Sequence, residues 1–378
     1  MRRLSASTWA TASRFFVPAL LALVAACGVA LALFMARPFD RVRAETVQDG
    51  LEHPWDIAFA PDGRMLVTER AGRVLVFESA SPGAALLHTA VVPDVRAEVE
   101  SGLMGIAVDD ATVFVCASRD PDGDSGEPWR VELLRSTLVS DGTLAPFEVV
   151  PIGDGVGGPR HQGCAVEAAG GFLWVTIGDA NQPAGENRAQ DPGSLNGKVL
   201  RLELDASVPD DNPFGSAVYS LGHRNAQGIA FSPSGLVLAA EHGTDVNDEV
   251  NVIVTGGNYG YPCFTGASDP GPIPDGCGAA TDYLAPAWTS GSSTLATSGA
   301  TFLIGPDWGD WDGDLVVSTL KEEDVRRFSV SAAGDVTLDE TLLDGRFGRL
   351  RAVVVGPDGA LYVSTANGLG DRIVRVTR

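Results

Sequence analysis

Residues 222–262 read GHRNAQGIAFSPSGLVLAAEHGTDVNDEVNVIVTGGNYGYP, and several of their polar side chains are of kinds that bind ligands. Arg224 and Asn225 supply guanidinium and amide donors, which grip anionic or carbonyl-rich molecules. Gly243 and Thr244 offer backbone carbonyls at a tight step, and the acids Asp248 and Glu249 follow closely. Carbonyls and carboxylates together suit a hard cation such as calcium. An anion site next to a cation site describes a place for a metal-assisted cofactor. Upstream, His161 stands in GGPRHQG (157–163), where an imidazole at a loop tip could take up a proton near neutral pH. A lone histidine or an Arg-Asn pair also serves as an ordinary loop brace, so the elements that carry these residues matter.

Those elements repeat. Short apolar strands recur at 65–69, 113–117, 173–177, 236–240, 315–319 and 361–365, at intervals of 48, 60, 63, 79 and 46 residues. Turn sequences such as Pro61-Asp62-Gly63 and Pro357-Asp358-Gly359 precede most copies. Such steps favour hairpins because glycine accepts positive φ. No convincing amphipathic helix lies between the copies. The pattern predicts an all-β chain, a six-bladed β-propeller of four-stranded antiparallel sheets, over an antiparallel sandwich with insertions. Residues 45–55 are expected to supply the outer strand that closes the last blade. Loops from different blades would then meet on one face.

Two motifs mislead when taken alone. Residues 153–158 fit GxGxxG, but a dinucleotide site needs a helix immediately afterwards, and Pro159, His161 and Gly163 precede a strand instead. Asp120, Asp122 and Asp124 place oxygens at alternate positions, as calcium loops do. With no flanking helices, a solvated acidic loop is the simpler reading.

The 222–262 stretch resembles the soluble quinoprotein sugar dehydrogenases, the aldose and sorbosone dehydrogenase-like propellers that use pyrroloquinoline quinone (PQQ). The carriers are Gly222-His223-Arg224-Asn225, Gln227-Gly228, Glu241-His242-Gly243-Thr244, Asp248-Glu249-Val250-Asn251 and Gly257-Asn258-Tyr259-Gly260-Tyr261-Pro262. Weaker similarity covers residues 45–378. The resemblance implies that His161 is the general base that deprotonates a sugar's anomeric hydroxyl as hydride passes to the quinone. It implies that Arg224 and Asn225 donate to the reactive quinone carbonyl, and that Gly243, Thr244, Asp248 and Glu249 surround Ca2+. Lys321, Arg349 and Arg351 would receive the carboxylates of PQQ. Glu100 would face the substrate. Tyr261 and Trp288 could stack on a sugar or the quinone, with packing at the rim as the alternative.

The same resemblance implies oxidation of an aldose, or a related hydroxyl or aldehyde substrate, to the lactone or acid. Electrons would go to an external acceptor, a quinone or a cytochrome. The chain departs from the pattern at Arg160, where some members have an acid, and at Thr244, where proline is common. The alternative is a catalytically silent propeller that binds carbohydrate or protein. A silent relative would be expected to lose several of His161, Arg224, Asn225, Lys321, Arg349 and Arg351, and all are present. A lactonase-type propeller would want a central ring of acids and Asn, which the sequence does not suggest.

Composition sets outer bounds. The net charge is −22, although the six arginines before residue 45 face one acid, Asp40. So acidic a body would repel nucleic acid. Residues 15–36 form an uncharged apolar run of 22, long enough to span a bilayer. Segment 1–44 is therefore expected to be a signal-anchor or a long signal peptide, attaching an exported, periplasmic or extracellular body of residues 45–378 to the membrane. Cys27 lies in a box resembling a lipoprotein cleavage site, but further apolar and small residues follow it. Four cysteines remain in the body, an even number that suits disulfides in an exported domain. Cys263 and Cys277 flank a loop rich in Pro and Gly and are expected to pair, leaving Cys116 with Cys164; free buried thiols are the alternative.

Overall fold

The computed structural model describes residues 41–378 except 124–128, 154, 184, 267–276 and 278–282. The apolar run at 15–36 and Asp124 lie outside the described residues. Among the described residues no helix is long and apolar enough to cross a membrane.

Six antiparallel sheets form the body. Blade 1 runs Pro54–Phe59, Met65–Glu69, Arg73–Phe77 and Leu86–Val91. Blade 2 runs Leu103–Asp109, Thr112–Arg119 and Arg130–Thr137, with Glu148–Val149 and Gly155–Val156 sharing its outer edge. Blade 3 is Gly163–Ala169, Phe172–Ile177, Lys198–Glu203 and Val218–Leu221. Blade 4 is Ala226–Phe231, Val237–Glu241, Glu249–Ile253 and Trp288–Thr289. Blade 5 is Thr297–Phe302, Leu315–Thr319, Val325–Val330 and Val336–Leu342. Blade 6 takes Leu350–Val355, Leu361–Thr365 and Leu369–Thr377, and Arg43–Glu52 closes it by pairing with the last of these.

Each repeated apolar stretch is the second strand of its blade. These strands are buried throughout, as in MLVTE, LVVST and LYVST, because neighbouring blades cover both faces. That explains why they read as continuous apolar runs rather than alternating ones. The inner strands touch in order around the ring, and the sixth touches the first. Closure removes the free edges that an open sheet would expose.

Both expected disulfides form. Cys116 and Cys164, each fully buried, join blade 2 to blade 3 with Cα atoms 5.5 Å apart. Cys263 and Cys277 are 5.6 Å apart at Cα and close the long loop of blade 4. The GxGxxG stretch enters the edge strand Gly155–Val156, and no helix follows it before Gly163.

The inner strands enclose a channel of about 350 Å³ whose lining includes Asp56, Glu167, Gln227 and Arg351. Burial, reinforced by the charge of Asp56, pushes the Glu167 carboxyl up to about 8. Burial likewise lifts Asp56 to about 7. Glu167 has no hydrogen-bond partner among the described residues, so it is held neutral in a setting that disfavours its ionised form. The unfolded chain releases this proton near pH 4.5, whereas the folded chain holds it to about 8. Folding stability from this group is therefore lost as pH rises through that window. Glu167→Gln is expected to melt with wild type near pH 5 and to be more stable by roughly 2 kcal/mol at pH 8. Thermal melts at the two pH values check it; an equal difference at both would show that Glu167 ionises normally.

Candidate active site

In an up-and-down blade, the loop before the first strand and the loop after the second leave the sheet at the same end. Glu100, His161, Arg224, Asn225 and Arg349 lie in loops of the first kind. Asp179, Gly243, Thr244 and Lys321 lie in loops of the second kind. Topology alone therefore gathers residues from five blades onto one face.

His161 is the centre of this face. Its glycine-rich setting suggested an exposed loop tip, but the side chain is only 10% exposed. The backbone there has φ +56°, in the left-handed region, and Gly163 and Cys164 follow at +62° and +68°. Such a turn brings the imidazole inward, at some conformational cost. The neighbouring loop fits only because Gly178 has no side chain: a Cβ there would lie 2.1 Å from the His161 carbonyl oxygen.

The partners of His161 settle its tautomer. Nδ1 lies 2.9 Å from Asp179 Oδ1, and Nε2 lies 3.1 Å from Arg224 Nη2. A guanidinium can only donate, so Nε2 carries the lone pair and Nδ1 carries the proton that Asp179 accepts. This is the arrangement of a general base with its orienting carboxylate. Asp179 is itself fully buried and held by Asn187 Nδ2 at 3.0 Å and the Asn181 amide at 3.0 Å. Tyr261 lies beside Asp179 and Arg224, and burial pushes its hydroxyl up to about 12, so it stays a neutral hydrogen-bonding group.

Arg224 and Asn225 are built into the same wall. Arg224 Nη1 donates to the His242 carbonyl at 3.3 Å, and its amide donates to Glu241. Asn225 Oδ1 accepts the Gly163 amide at 2.9 Å, tying the His161 loop to blade 4. Arg224 Nε and Asn225 Nδ2 are buried without a hydrogen-bond partner among the described residues. Buried donors left unpaired are costly, so two neighbouring orphans fit an acceptor supplied by a ligand. Lys321 and Arg349 are exposed on this face and have no ion-pair partner among the described residues. Arg351 lies deeper, 3.6 Å over the Trp55 ring and 3.1 Å from Gln227 Oε1. Burial, followed by the repulsion of Arg349, lowers it to about 9, as expected of a cation lacking a counter-anion.

A model of the glucose/sorbosone dehydrogenase family matches residues 51–375. The chain belongs to that family. It is 34% identical to an aldose sugar dehydrogenase of Escherichia coli, over 87% of this chain and 91% of the relative. Identity to quinoprotein glucose dehydrogenase B of Acinetobacter calcoaceticus is 31%, over 79% of this chain and 68% of that one. The PQQ-bound aldose sugar dehydrogenase of Streptomyces coelicolor superposes with TM-score 0.73 at 27% identity, covering 90% of this chain and 99% of that one.

Against the family's expected ligand set, the cation residues divide. Gly243, Thr244 and Glu249 line a small cavity of about 20 Å³ that also touches Arg224, Glu241 and Tyr261. Glu249 and Glu241 are register partners on adjacent strands. Burial, then the charge of Glu241, pushes Glu249 up to about 8. Half-buried Glu249 beside the Gly243 and Thr244 backbone suits a divalent ion, while Glu241 is already bonded to the Arg224 amide, His223 Nδ1 and Asn251 Nδ2. Asp248 is committed elsewhere: its fully buried carboxylate accepts amides of Gly243 at 2.9 Å and Ala296 at 2.8 Å, and that of Leu295 as well. It braces two loops, with Oδ2 taking the Leu295 and Ala296 amides and Oδ1 the Gly243 amide.

Trp288 stands apart from these residues. It lies on the outermost strand of blade 4, its ring edge-on to Phe328 of blade 5 at 5.0 Å. It packs the seam between blades, because outer strands lie away from the loops that meet over the channel. Glu100 is at the site, but its carboxylate is already bonded to Arg160 and the His161 amide. Asp179 has no part in the sequence reading above, although it follows Gly178 at the end of a strand. A short acid after glycine at a strand end was the available cue.

Proposed function

We propose that this chain is a PQQ- and calcium-dependent dehydrogenase that oxidises an aldose, or a related hydroxyl substrate, at its anomeric carbon. The observation that carries the reading is the His161–Asp179–Arg224 array, with a lone pair on Nε2 and two orphaned donors alongside. When bound, PQQ supplies the hydride acceptor and calcium polarises it. Arg224 and Asn225 would hold the reactive carbonyl oxygen; Lys321, Arg349 and Arg351 would hold the carboxylates. Gly243 and Thr244 would give carbonyl ligands to calcium, with Glu249 close by.

His161 Nε2 takes the proton from the anomeric hydroxyl. Asp179, accepting from Nδ1, steadies the imidazolium that results. Arg224 engages the same lone pair, so substrate must displace that contact. Tyr261 closes the wall beside it. The apolar run at 15–36 supports export, with electrons passing to a quinone or cytochrome outside the cytoplasm.

The test is to load the purified full chain with PQQ and calcium, follow the quinone absorbance, and assay dye reduction with a panel of aldoses. Tight PQQ binding and calcium-dependent turnover are expected. Sugar binding with neither PQQ binding nor turnover would sink the dehydrogenase reading and favour a silent carbohydrate-binding propeller.

A further inference from the structure

Beside His161, two loops from different blades are tied at one point. Glu100 Oε1 accepts from Arg160 Nη1 at 2.8 Å, and Oε2 accepts from the His161 amide at 3.4 Å. The Glu100 amide donates to the Pro159 carbonyl at 3.0 Å. Glu100 also acts electrostatically on His242 and Arg351, so the pair lies toward the centre of the face. On the other side of Glu100, Arg70 Nη1 donates to the Val99 carbonyl at 2.6 Å.

The charges here do not balance. The site already has its cations for the carboxylates of a bound PQQ in Lys321, Arg349 and Arg351. Two guanidinium groups, Arg160 and Arg70, meet this loop against the one carboxylate of Glu100: Arg160 bonds that carboxylate and Arg70 bonds the adjacent Val99 carbonyl. Arg160 is 51% exposed, against 30% for Glu100. Only its Nη1 is engaged; Nε and Nη2 have no partner among the described residues. That free edge has the geometry to take a carboxylate through two parallel hydrogen bonds.

We propose that Arg160 selects aldoses that carry a carboxylate, sugars of the uronic-acid type, receiving it on the Nε–Nη2 edge while Nη1 stays on Glu100. The proposal rests on the dehydrogenase reading and assigns its substrate class. The carboxylate is a handle and is chemically unchanged. A neutral hydroxyl cannot exploit the guanidinium charge to the same degree, so the preference belongs in KM and weakens with salt.

The experiment compares kcat/KM for galacturonic acid with galactose, and glucuronic acid with glucose, using the full chain loaded with PQQ and calcium. Wild type is expected to prefer the acids by about tenfold or more at low salt, mostly through KM, with the preference shrinking at high salt. Arg160→Gln should reduce the acid-to-neutral ratio about tenfold, and Arg160→Lys, which keeps charge but loses the fork, should retain part of it. A wild-type ratio at or below one, or a ratio unmoved by Arg160→Gln, overturns the proposal. Calorimetric titration of both proteins with galacturonate and galactose decides the same question without turnover. Absent turnover with acid-selective, Arg160-dependent binding would overturn the dehydrogenase reading alone; turnover without charge preference would overturn the selectivity alone.

Discussion

His161→Gln is expected to lower kcat by about 10³–10⁴-fold while leaving PQQ affinity nearly intact. Glutamine keeps a polar side chain of similar reach, but it has no basic lone pair to take the hydroxyl proton. The imidazole is held by Asp179 and Arg224 and is not among the cations available for the cofactor's carboxylates, so binding and chemistry should separate. Asp179→Asn should show a related loss of about 10²-fold or more by a different route. An asparagine can present an N–H to Nδ1, which would move the imidazole proton to Nε2 and remove the lone pair. Quinone titration and single-turnover kinetics on each variant check both statements. Equal loss of PQQ affinity and turnover in His161→Gln would mean that the base lies elsewhere.

Lys198→Met is expected to destabilise the chain by roughly 3–5 kcal/mol, about 5–10 °C in melting temperature for a domain of this size. Lys198 begins the third strand of blade 3 and is fully buried. Its ammonium donates to the carbonyls of Arg188 at 2.9 Å, Ala189 at 2.9 Å and Asn196 at 2.6 Å. Burial lowers the group to about 7, but three converging carbonyls favour the charged form where it is needed. Methionine fills the space but removes the ammonium donor from all three carbonyls; those of Arg188 and Ala189 keep the amides of Asp191 and Gly222, and that of Asn196 loses its donor. The loop so held carries Asn187, which fixes Asp179, and Gln190, which donates to the Tyr261 carbonyl at 2.8 Å. A lower kcat should therefore accompany the lower melting temperature. A variant that melts like wild type would show that the loop is held by other contacts.

Much of the fold was legible in the sequence because a propeller is a local pattern repeated. Each buried second strand announces itself as an apolar run after a turn, and its partners follow within a few tens of residues. The closing strand was legible too, although it begins at Arg43 and ends at Glu52, before the new strand starts at Pro54. The site was less legible. Arg224, Asn225 and the Gly243–Thr244 step stand in one stretch with an unusual density of polar and glycine residues. Asp248 and Trp288 stand in or near the same stretch, yet one braces backbone amides and the other packs a blade seam. Side-chain type did not distinguish these roles, because they depend on which lone pairs and faces the folded neighbours leave free.

The sequence by itself determined the number of blades and the residue types available for chemistry, since both follow from local periodicity and composition; the cysteine pairing was an expectation until the fold brought Cys116 to Cys164 and Cys263 to Cys277. Only the tertiary structure decided which of those residues work together. It turned His161 inward through a left-handed step, placed Asp179 against its Nδ1 and Arg224 against its Nε2, and so fixed the proton on one nitrogen. It also buried Lys198 and left Arg160 half exposed beside the base. The physical reason is that a tautomer, a desolvated ammonium and a free guanidinium edge are properties of an environment built from distant blades, and no single segment of the chain contains that environment.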